Sequence, residues 1–203
     1  MIDHEMKSDK ILEDGAYYMS DDKGRRMRIA MYISSMNRGG AEHVMANLIS
    51  YFVGKGYEMI LVTTHKEQNE YALCGCEKDD YSANESKDKN GISSVRIHEP
   101  ESKTDGSLIR YYSEIDDPEN GSRAGNFRDR CRRLEDLWRI TSPDVILSFI
   151  GKNNMMAVKT AQRFHIPVAV SVRADPELEY LGIAMRMAAK HYYRKAALVI
   201  MQT

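Results

Sequence analysis

The stretch IAMYISSMNRGGAEHVMANLISYF, Ile29 to Phe52, decides the predicted fold. It begins with an apolar run, Ile29 to Ile33, which is typical of a strand buried on both faces of a sheet. Gly39 and Gly40 then open a helix. The apolar residues of this helix recur at spacings of three and four, so they share one face that packs against the sheet. They are Val44, Met45, Leu48, Ile49 and Phe52.

The glycine pair has the properties of an anion site. A helix start offers unpaired backbone N–H groups and the positive end of a dipole, which suit phosphate. Gly39 and Gly40 lack the Cβ atoms that would keep a ligand away from the backbone. Neither the G-x-G-x-x-G spacing of dinucleotide sites nor the Gly-Lys-Ser/Thr of a P-loop is present. On spacing alone, a tight strand-to-helix connection that binds nothing is an equally good interpretation.

Length and composition set the class of protein. A chain of 203 residues allows one large α/β domain or two small ones. The net charge of −1 provides no overall field that would recruit nucleic acid. Three cysteines do not make a disulfide framework, and six scattered histidines do not predict a metal site. No apolar run approaches the roughly 20 residues of a membrane span, so a reducing cytoplasm is expected.

The chain divides into an extension and a domain. Residues 1–26 are charged and polar, and we predict a flexible N-terminal extension with a short helix near Ile11. Residues 27–203 form the predicted domain. Within it, residues 66–126 lose hydrophobic periodicity and predict a loop-rich insertion with a single strand, Ser94–His98.

The rest of the domain alternates strands with helices. A helix is marked by Phe127, Cys131, Leu134 and Trp138. Its arginines can meet phosphates, although a solvated helix face is the commoner explanation; they are Arg128, Arg130, Arg132 and Arg133. The further predicted strands are Tyr57–Thr64, Val145–Ile150, Val168–Val172 and Leu198–Thr203, and the later helices begin at Asn153 and run from about Leu178 to Lys195. This alternation predicts an α/β, Rossmann-like, doubly wound and mainly parallel sheet with helices on both faces.

Three polar segments follow strands and should therefore share one edge of the sheet. They are Ser34–Gly40, Ser148–Asn154 and Arg173–Pro176. In such sheets ligands bind outside the carboxyl ends of the strands. A guanidinium at Arg173 can hold phosphate with two hydrogen bonds. An ion pair with Asp175 or Glu177 is the alternative, and the sequence leaves both open.

These residues carry a family resemblance. From Met27 to Thr203, the chain resembles the N-terminal, acceptor-side domain of a family 4 retaining glycosyltransferase, one half of a GT-B architecture. The resemblance rests on N-R-G-G-A-E at Asn37–Glu42, P-D-V-I-L-S-F at Pro143–Phe149 and S-V-R-A-D-P at Ser171–Pro176. It implies transfer of a sugar from a nucleotide-diphospho-sugar donor to a glycan or lipid-linked acceptor, with no cofactor and no bound metal.

The resemblance also assigns roles to residues. It implies contact with the donor phosphates at Gly39, Gly40 and Ala41. It implies acceptor-side positions at Arg38, Glu42, Asn153, Arg173 and Asp175. No catalytic residue is assigned, because the family's glutamate pair belongs to a C-terminal donor-binding domain that this sequence does not contain. We therefore expect a truncated form of a longer protein, inactive alone, whose missing domain is its intramolecular partner.

Two other functions stay open. One is a stand-alone nucleotide- or phosphate-sensing Rossmann-like domain without catalysis, and the other is half of a GT-B sugar-nucleotide epimerase. A peripheral contact with the inner face of the membrane is suggested by Arg186, Lys190 and Arg194, which recur at four-residue steps. An ordinary solvated helix face explains the same pattern.

Overall fold

The computed structural model describes residues 9–11, 17–19, 24–65, 70, 71, 73, 81–87, 93–100, 108–113, 123–173 and 182–201. The strands are β1 Asp9–Ile11, β2 Tyr17–Met19, β3 Arg28–Ile33, β4 Glu58–Thr63, β5 Tyr81–Lys87, β6 Ser93–Pro100, β7 Ile109–Ser113, β8 Val145–Phe149, β9 Val168–Val172 and β10 Leu198–Met201. The helices are α1 Gly40–Gly54, α2 Arg123–Thr141, α3 Gly151–Ala161 and α4 Ile183–Tyr193, and a short 3-10 turn, Gln162–Phe164, follows α3.

Eight strands form one sheet in the order β10-β9-β8-β3-β4-β7-β6-β5. The strands from β10 to β7 are parallel, and β6 and β5 extend that edge in antiparallel fashion. The chain starts this sheet in the middle at β3 and builds one side with β4 to β7. It then builds the other side with β8, β9 and β10. This order confirms the predicted doubly wound, mainly parallel, Rossmann-like sheet.

Helices cover both faces of the sheet, as predicted. Successive side chains of a strand point to opposite faces, so β3 contributes to two cores. Tyr32 packs in the core that α2 and α3 cover, together with Leu134. Met31 packs in the core that α1 covers, together with Met45 and Ile49. The apolar run of β3 is therefore buried on both sides, which explains why it shows no alternation of polar residues.

The prediction of a single strand within residues 66–126 is wrong. The predicted strand exists as β6, but β5 and β7 are strands too, and α2 already begins at Arg123. The pattern does not predict β7 because Arg110 interrupts its short apolar run. In the structure the Arg110 guanidinium pairs with Glu58 of the neighbouring β4, while Tyr111 and Tyr112 are buried. The boundaries of the domain and of the insertion stay predictions.

The helix predicted near Ile11 is also wrong, because Ile11 ends β1, which pairs with β2 in a separate two-stranded sheet. A helix that short is marginal in isolation, whereas strand pairing satisfies the backbone of both segments. The end of the predicted extension is attached to the domain. Arg25 donates to both carboxylate oxygens of Asp144, at 2.7 and 3.2 Å, and the Arg28 backbone N–H donates to the same carboxylate at 2.7 Å.

Replacing Asp144 should destabilise the fold. The Asp144→Asn change removes the charge that Arg25 and the Arg28 N–H face, so we expect the free energy of unfolding to fall by about 1–2 kcal/mol. The matched control is Asp136→Asn, since Asp136 forms an exposed pair with Arg139 at 2.6 Å, and such pairs contribute about 0.5 kcal/mol or less. Urea unfolding followed by circular dichroism measures both. Equal losses in the two variants would contradict the assigned role of Asp144.

The last two elements complete one edge of the sheet. Helix α4 begins at Ile183, whereas the sequence predicted a start near Leu178, which lies outside the described residues. It packs on α3 through Ala189 and its neighbours. All residues of β10 are exposed on the sheet edge, although the strand reads LVIM. Of the helices in the described ranges, none combines the length and the apolar character that crossing a membrane requires.

Candidate functional site

The order of strands reverses between β3 and β8. β3 pairs with β4 on one side and with β8 on the other, and all three are parallel, so their carboxyl ends lie at the same edge of the sheet. The chain leaves β3 toward α1 and leaves β8 toward α3. The crevice outside these carboxyl ends is the usual ligand position in open α/β sheets. We call it the switch-point crevice, bounded by Ser34–Gly40 and by Ile150–Asn153.

The glycine turn forms one wall of this crevice. Gly39 is the N-cap residue of α1 and has an extended backbone, with φ −135° and ψ 171°; within the described part of the chain no side chain caps this helix start. Asn37 organises the turn, since its side-chain Oδ1 accepts from the Arg38 N–H and its backbone oxygen accepts from the Gly39 N–H, both at 2.8 Å. The helix start at Gly40 therefore keeps the unpaired N–H groups that favour an anion.

The two glycines have different surroundings. A Cβ atom on Gly39 would collide with the carboxylate of Glu42, whereas a Cβ atom on Gly40 would meet nothing within 4 Å. Glu42 thus folds over Gly39, where its charge complements the helix dipole. The same charge opposes an incoming phosphate. An anion can therefore approach the turn on the open side at Gly40, and the side at Gly39 is covered.

A hydrogen-bonded cluster crosses the switch point. Asn153, on the first turn of α3, donates from Nδ2 to Ser34 Oγ at 3.1 Å. Arg130 of α2 lies beside it, and its Nη2 is 3.3 Å from Asn153 Oδ1, 2.7 Å from Thr64 Oγ1 and 3.0 Å from the Tyr32 hydroxyl. The backbone oxygen of Ser34 also accepts from the Thr64 N–H at 2.9 Å. The ends of β3 and β4 and the start of α3 are thereby tied together.

Arg173 lies at the same edge, directly after β9. Its Cζ stands 4.8 Å from the centre of the Phe149 ring, a cation–π contact made possible by the pairing of β8 with β9. Its Nε is buried and has no hydrogen-bond partner among the described residues. The ion pair with Asp175 or Glu177 is not tested, because both carboxylates lie outside the described residues.

The backbone before α3 is strained. Ile150, the residue that precedes the helix, has φ 71° and ψ 126°. Positive φ is a rare conformation for a β-branched residue, and such strain concentrates at functional sites. It lets the chain turn sharply from β8 into α3, so that Gly151 and Asn153 follow at once at the crevice.

The structure thus brings most of the predicted site residues to one edge of the sheet. The glycine turn contains Arg38, Gly39, Gly40, Ala41 and Glu42. Asn153 contacts Ser34 across the switch point, and Arg173 comes directly after β9, which lies two strands away from β3 in the sheet. Asp175 lies outside the described residues. The sequence interpretation assigned Arg130 no specific role in the site. One signal could have found it: Leu134 and Leu137, four and seven positions later on the helix, are buried, which places Arg130 on the inward side of α2.

No protein-family model matches this sequence, and no curated protein is significantly similar to it. Several solved structures are similar in fold. Sucrose-phosphate synthase from Thermosynechococcus elongatus matches with a TM-score of 0.56 and 11% identity, over 86% of this chain and 42% of that one. Anabaena HepE, solved in complex with UDP and glucose, matches with a TM-score of 0.52 and 11% identity, over 86% of this chain and 37% of that one.

UDP-N-acetylglucosamine 2-epimerase from Rickettsia bellii matches with a TM-score of 0.51 and 10% identity, over 87% of this chain and 39% of that one. The chain thus spans about two fifths of the length of these proteins. At such identities the likeness concerns the fold alone. The chain has the Rossmann-like α/β fold of one half of a GT-B architecture.

Proposed function

We propose that this chain is the acceptor-side half of a retaining glycosyltransferase that moves a sugar from a nucleotide-diphospho-sugar to a glycan or lipid-linked acceptor. The observation that carries the proposal is the glycine turn at the switch point, with open space at Gly40. A fold shared with sucrose-phosphate synthase and with a protein solved with UDP and glucose supports it. The proposal of retention rests on the resemblance of the sequence motifs to those of family 4 glycosyltransferases.

The proposed roles follow the geometry of the crevice. The backbone N–H groups of Gly40 and Ala41 receive the donor phosphates, and Gly39 leaves room for the Glu42 carboxylate beside the turn. Arg38, Glu42, Asn153 and Arg173 belong to the acceptor side, together with Asp175. Charge on the phosphates is met by the helix start and by guanidinium groups, so the proposal requires neither a cofactor nor a metal.

A second half is part of the proposal, because the chain spans about two fifths of the proteins it resembles in fold. The direct test is to express the gene's whole reading frame and to incubate its product with UDP-, GDP- and ADP-sugars and lipid-linked acceptors. We expect transfer from one donor with retention at the anomeric carbon. Inversion, or consumption of no donor, would overturn the assignment.

Arg173 provides a separate prediction. Its guanidinium stacks on Phe149, and its Nε has no hydrogen-bond partner among the described residues. Arg173→Gln should therefore weaken binding of a phosphate-bearing acceptor by about tenfold, while the free energy of unfolding falls by about 1 kcal/mol or less. The matched control is Arg163→Gln, since Arg163 is exposed beyond the far end of α3 and pairs with Glu135. Calorimetric titration with the acceptor measures both. Equal affinities in the two variants would reject the acceptor-side role of Arg173.

The epimerase alternative shares the same fold support, since one similar structure is a UDP-N-acetylglucosamine 2-epimerase. The two functions differ in their products. An epimerase half would return an isomeric sugar nucleotide without an acceptor, whereas a transferase leaves the nucleoside diphosphate. Product analysis by NMR therefore separates them in the experiment on the complete reading frame.

The proposal places the protein in the cytoplasm, with a peripheral contact at the inner face of the membrane. Helix α4 supports this contact, because Arg186, Lys190 and Arg194 are exposed on the same side as the exposed apolar residues Ile183 and Met187. We expect the chain to sediment with anionic liposomes at low salt and Lys190→Glu to reduce the bound fraction several-fold. Sedimentation without any bound chain would remove the membrane contact from the proposal.

A further inference from the structure

The cluster at the switch point fixes the orientation of one side-chain amide. A guanidinium can only donate hydrogen bonds, so the atom of Asn153 that faces Arg130 must be the acceptor Oδ1. The donor Nδ2 is then forced toward Ser34 Oγ. The reversed amide would place two donors against each other at Arg130. The guanidinium of Arg130 therefore determines which amide atom of Asn153 faces Ser34.

This orientation determines what Ser34 can do. A hydroxyl has one O–H donor and two lone pairs, and the amide of Asn153 occupies one lone pair. The O–H group can then donate to a ligand. Within the described residues, the Ser34 side chain has its hydrogen bond with Asn153. Ser34 is only partly buried, and its backbone oxygen is anchored by the N–H groups of Thr64 and His65. The Ser34 hydroxyl is thus held at the edge of the crevice with its O–H available to donate.

We propose that Ser34 binds a phosphate oxygen of the ligand and that Arg130 and Asn153 are positioning residues that keep its hydroxyl in the donor state. The inference rests on the proposed function and names a further contact of the same site. A phosphate oxygen without a proton can only accept, so it matches the O–H donor that the Asn153 amide leaves available on Ser34. A sugar hydroxyl can also turn and donate, and it gains less from this arrangement.

The test is a double-mutant cycle in which the affinity of each variant for pyrophosphate is measured. The 203-residue chain, labelled with ¹⁵N, is titrated with inorganic pyrophosphate at constant ionic strength and followed by NMR. Ser34→Ala should weaken binding by roughly tenfold, the usual effect of losing a hydrogen bond to a charged group. Ser142→Ala is the matched control, since Ser142 is exposed and its hydroxyl bonds to the backbone oxygen of Arg139. It should leave the affinity unchanged.

The second arm of the cycle is Asn153→Asp. The new carboxylate keeps an acceptor toward Arg130 and accepts the Ser34 O–H, so the hydroxyl turns away from the ligand. In this background Ser34→Ala should change the affinity by a factor near one. A merely structural role for Asn153 would leave the tenfold factor intact. Should Asn153→Asp fail to fold, Asn153→Ala replaces it, and the factor should fall below about threefold because the hydroxyl rotates freely.

The measured affinities distinguish the role of Ser34 from that of the glycine turn. A tenfold factor in both backgrounds, or no effect of Ser34→Ala in the unaltered chain, overturns the inference. If Ser34→Ala has no effect but Gly40→Leu abolishes pyrophosphate binding, the phosphate role of the glycine turn stands without Ser34. If the unaltered chain does not bind pyrophosphate at all, both the inference and the proposed phosphate site fall.

Discussion

Gly40→Leu should reduce binding of pyrophosphate and of a nucleotide sugar by about 100-fold or more, because its side chain fills the open space at the helix start. The fold should hardly change. A Cβ atom there meets nothing within 4 Å, and leucine is a better helix former than glycine by roughly 0.5–1 kcal/mol. The affinity is measured by calorimetry on this chain, and the transfer rate on the product of the complete reading frame.

The matched control is Gly54→Leu. Gly54 ends the same helix, and a Cβ atom on it also meets nothing within 4 Å, but it lies at the opposite end of α1 from the crevice. This variant should bind pyrophosphate as the unaltered chain does. If Gly40→Leu kept its affinity, or if both variants lost it equally, the glycine turn would not be the phosphate site.

Trp138→Ala should lower the free energy of unfolding by about 3–5 kcal/mol, a large part of the stability of an ordinary domain. The Trp138 side chain of α2 is fully buried in the core that α2 and α3 form against the sheet. Its indole N–H donates to Thr160 Oγ1 at 2.9 Å. The change therefore leaves a cavity and also removes a buried hydrogen bond. Since this is the only tryptophan, unfolding in urea is followed by circular dichroism instead of fluorescence.

Two further variants separate these causes. Thr160→Val removes the acceptor but keeps the ring, so it should cost about 1–3 kcal/mol. Ile140→Ala changes an exposed apolar residue of the same helix and should cost about 0.5 kcal/mol or less. A Trp138→Ala variant as stable as Ile140→Ala would show that α2 does not depend on this core.

The central part of the fold could be predicted because its signals are local. The apolar run of β3, the glycine pair and the periodic face of α1 lie within one stretch, and their physical causes act over a few residues. The parallel strands β4, β8 and β9 follow from the same kind of run. Strand β7 could not be found this way, because the charge of Arg110 is compensated by Glu58, and strand pairing brings these two residues together.

The site was predictable in outline and not in its contacts. That the segments after β3, β8 and β9 meet at one edge follows from parallel pairing alone. The position of Arg130 depends on how α2 is rotated against the sheet, and its neighbours in the sequence include other arginines. The stacking of Arg173 on Phe149 requires β8 and β9 to be adjacent in register. These contacts join residues far apart in the chain, so local patterns do not identify the partners of Arg130 and Arg173, although helical spacing places Arg130 on the inward side of α2.

The attachment of Arg25 to Asp144 also has an electrostatic consequence for the whole sheet. At the edge where the strands begin, the guanidinium groups of Arg25, Arg28 and Arg110 share two carboxylates, those of Asp144 and Glu58, so two of the three positive charges are balanced there. At the other edge, the charge of Arg173 faces an aromatic ring and adds to the positive helix starts. A negatively charged ligand near the carboxyl ends of the strands is therefore attracted by Arg173 and by the helix starts, and this local attraction is opposed by the Glu42 carboxylate over Gly39.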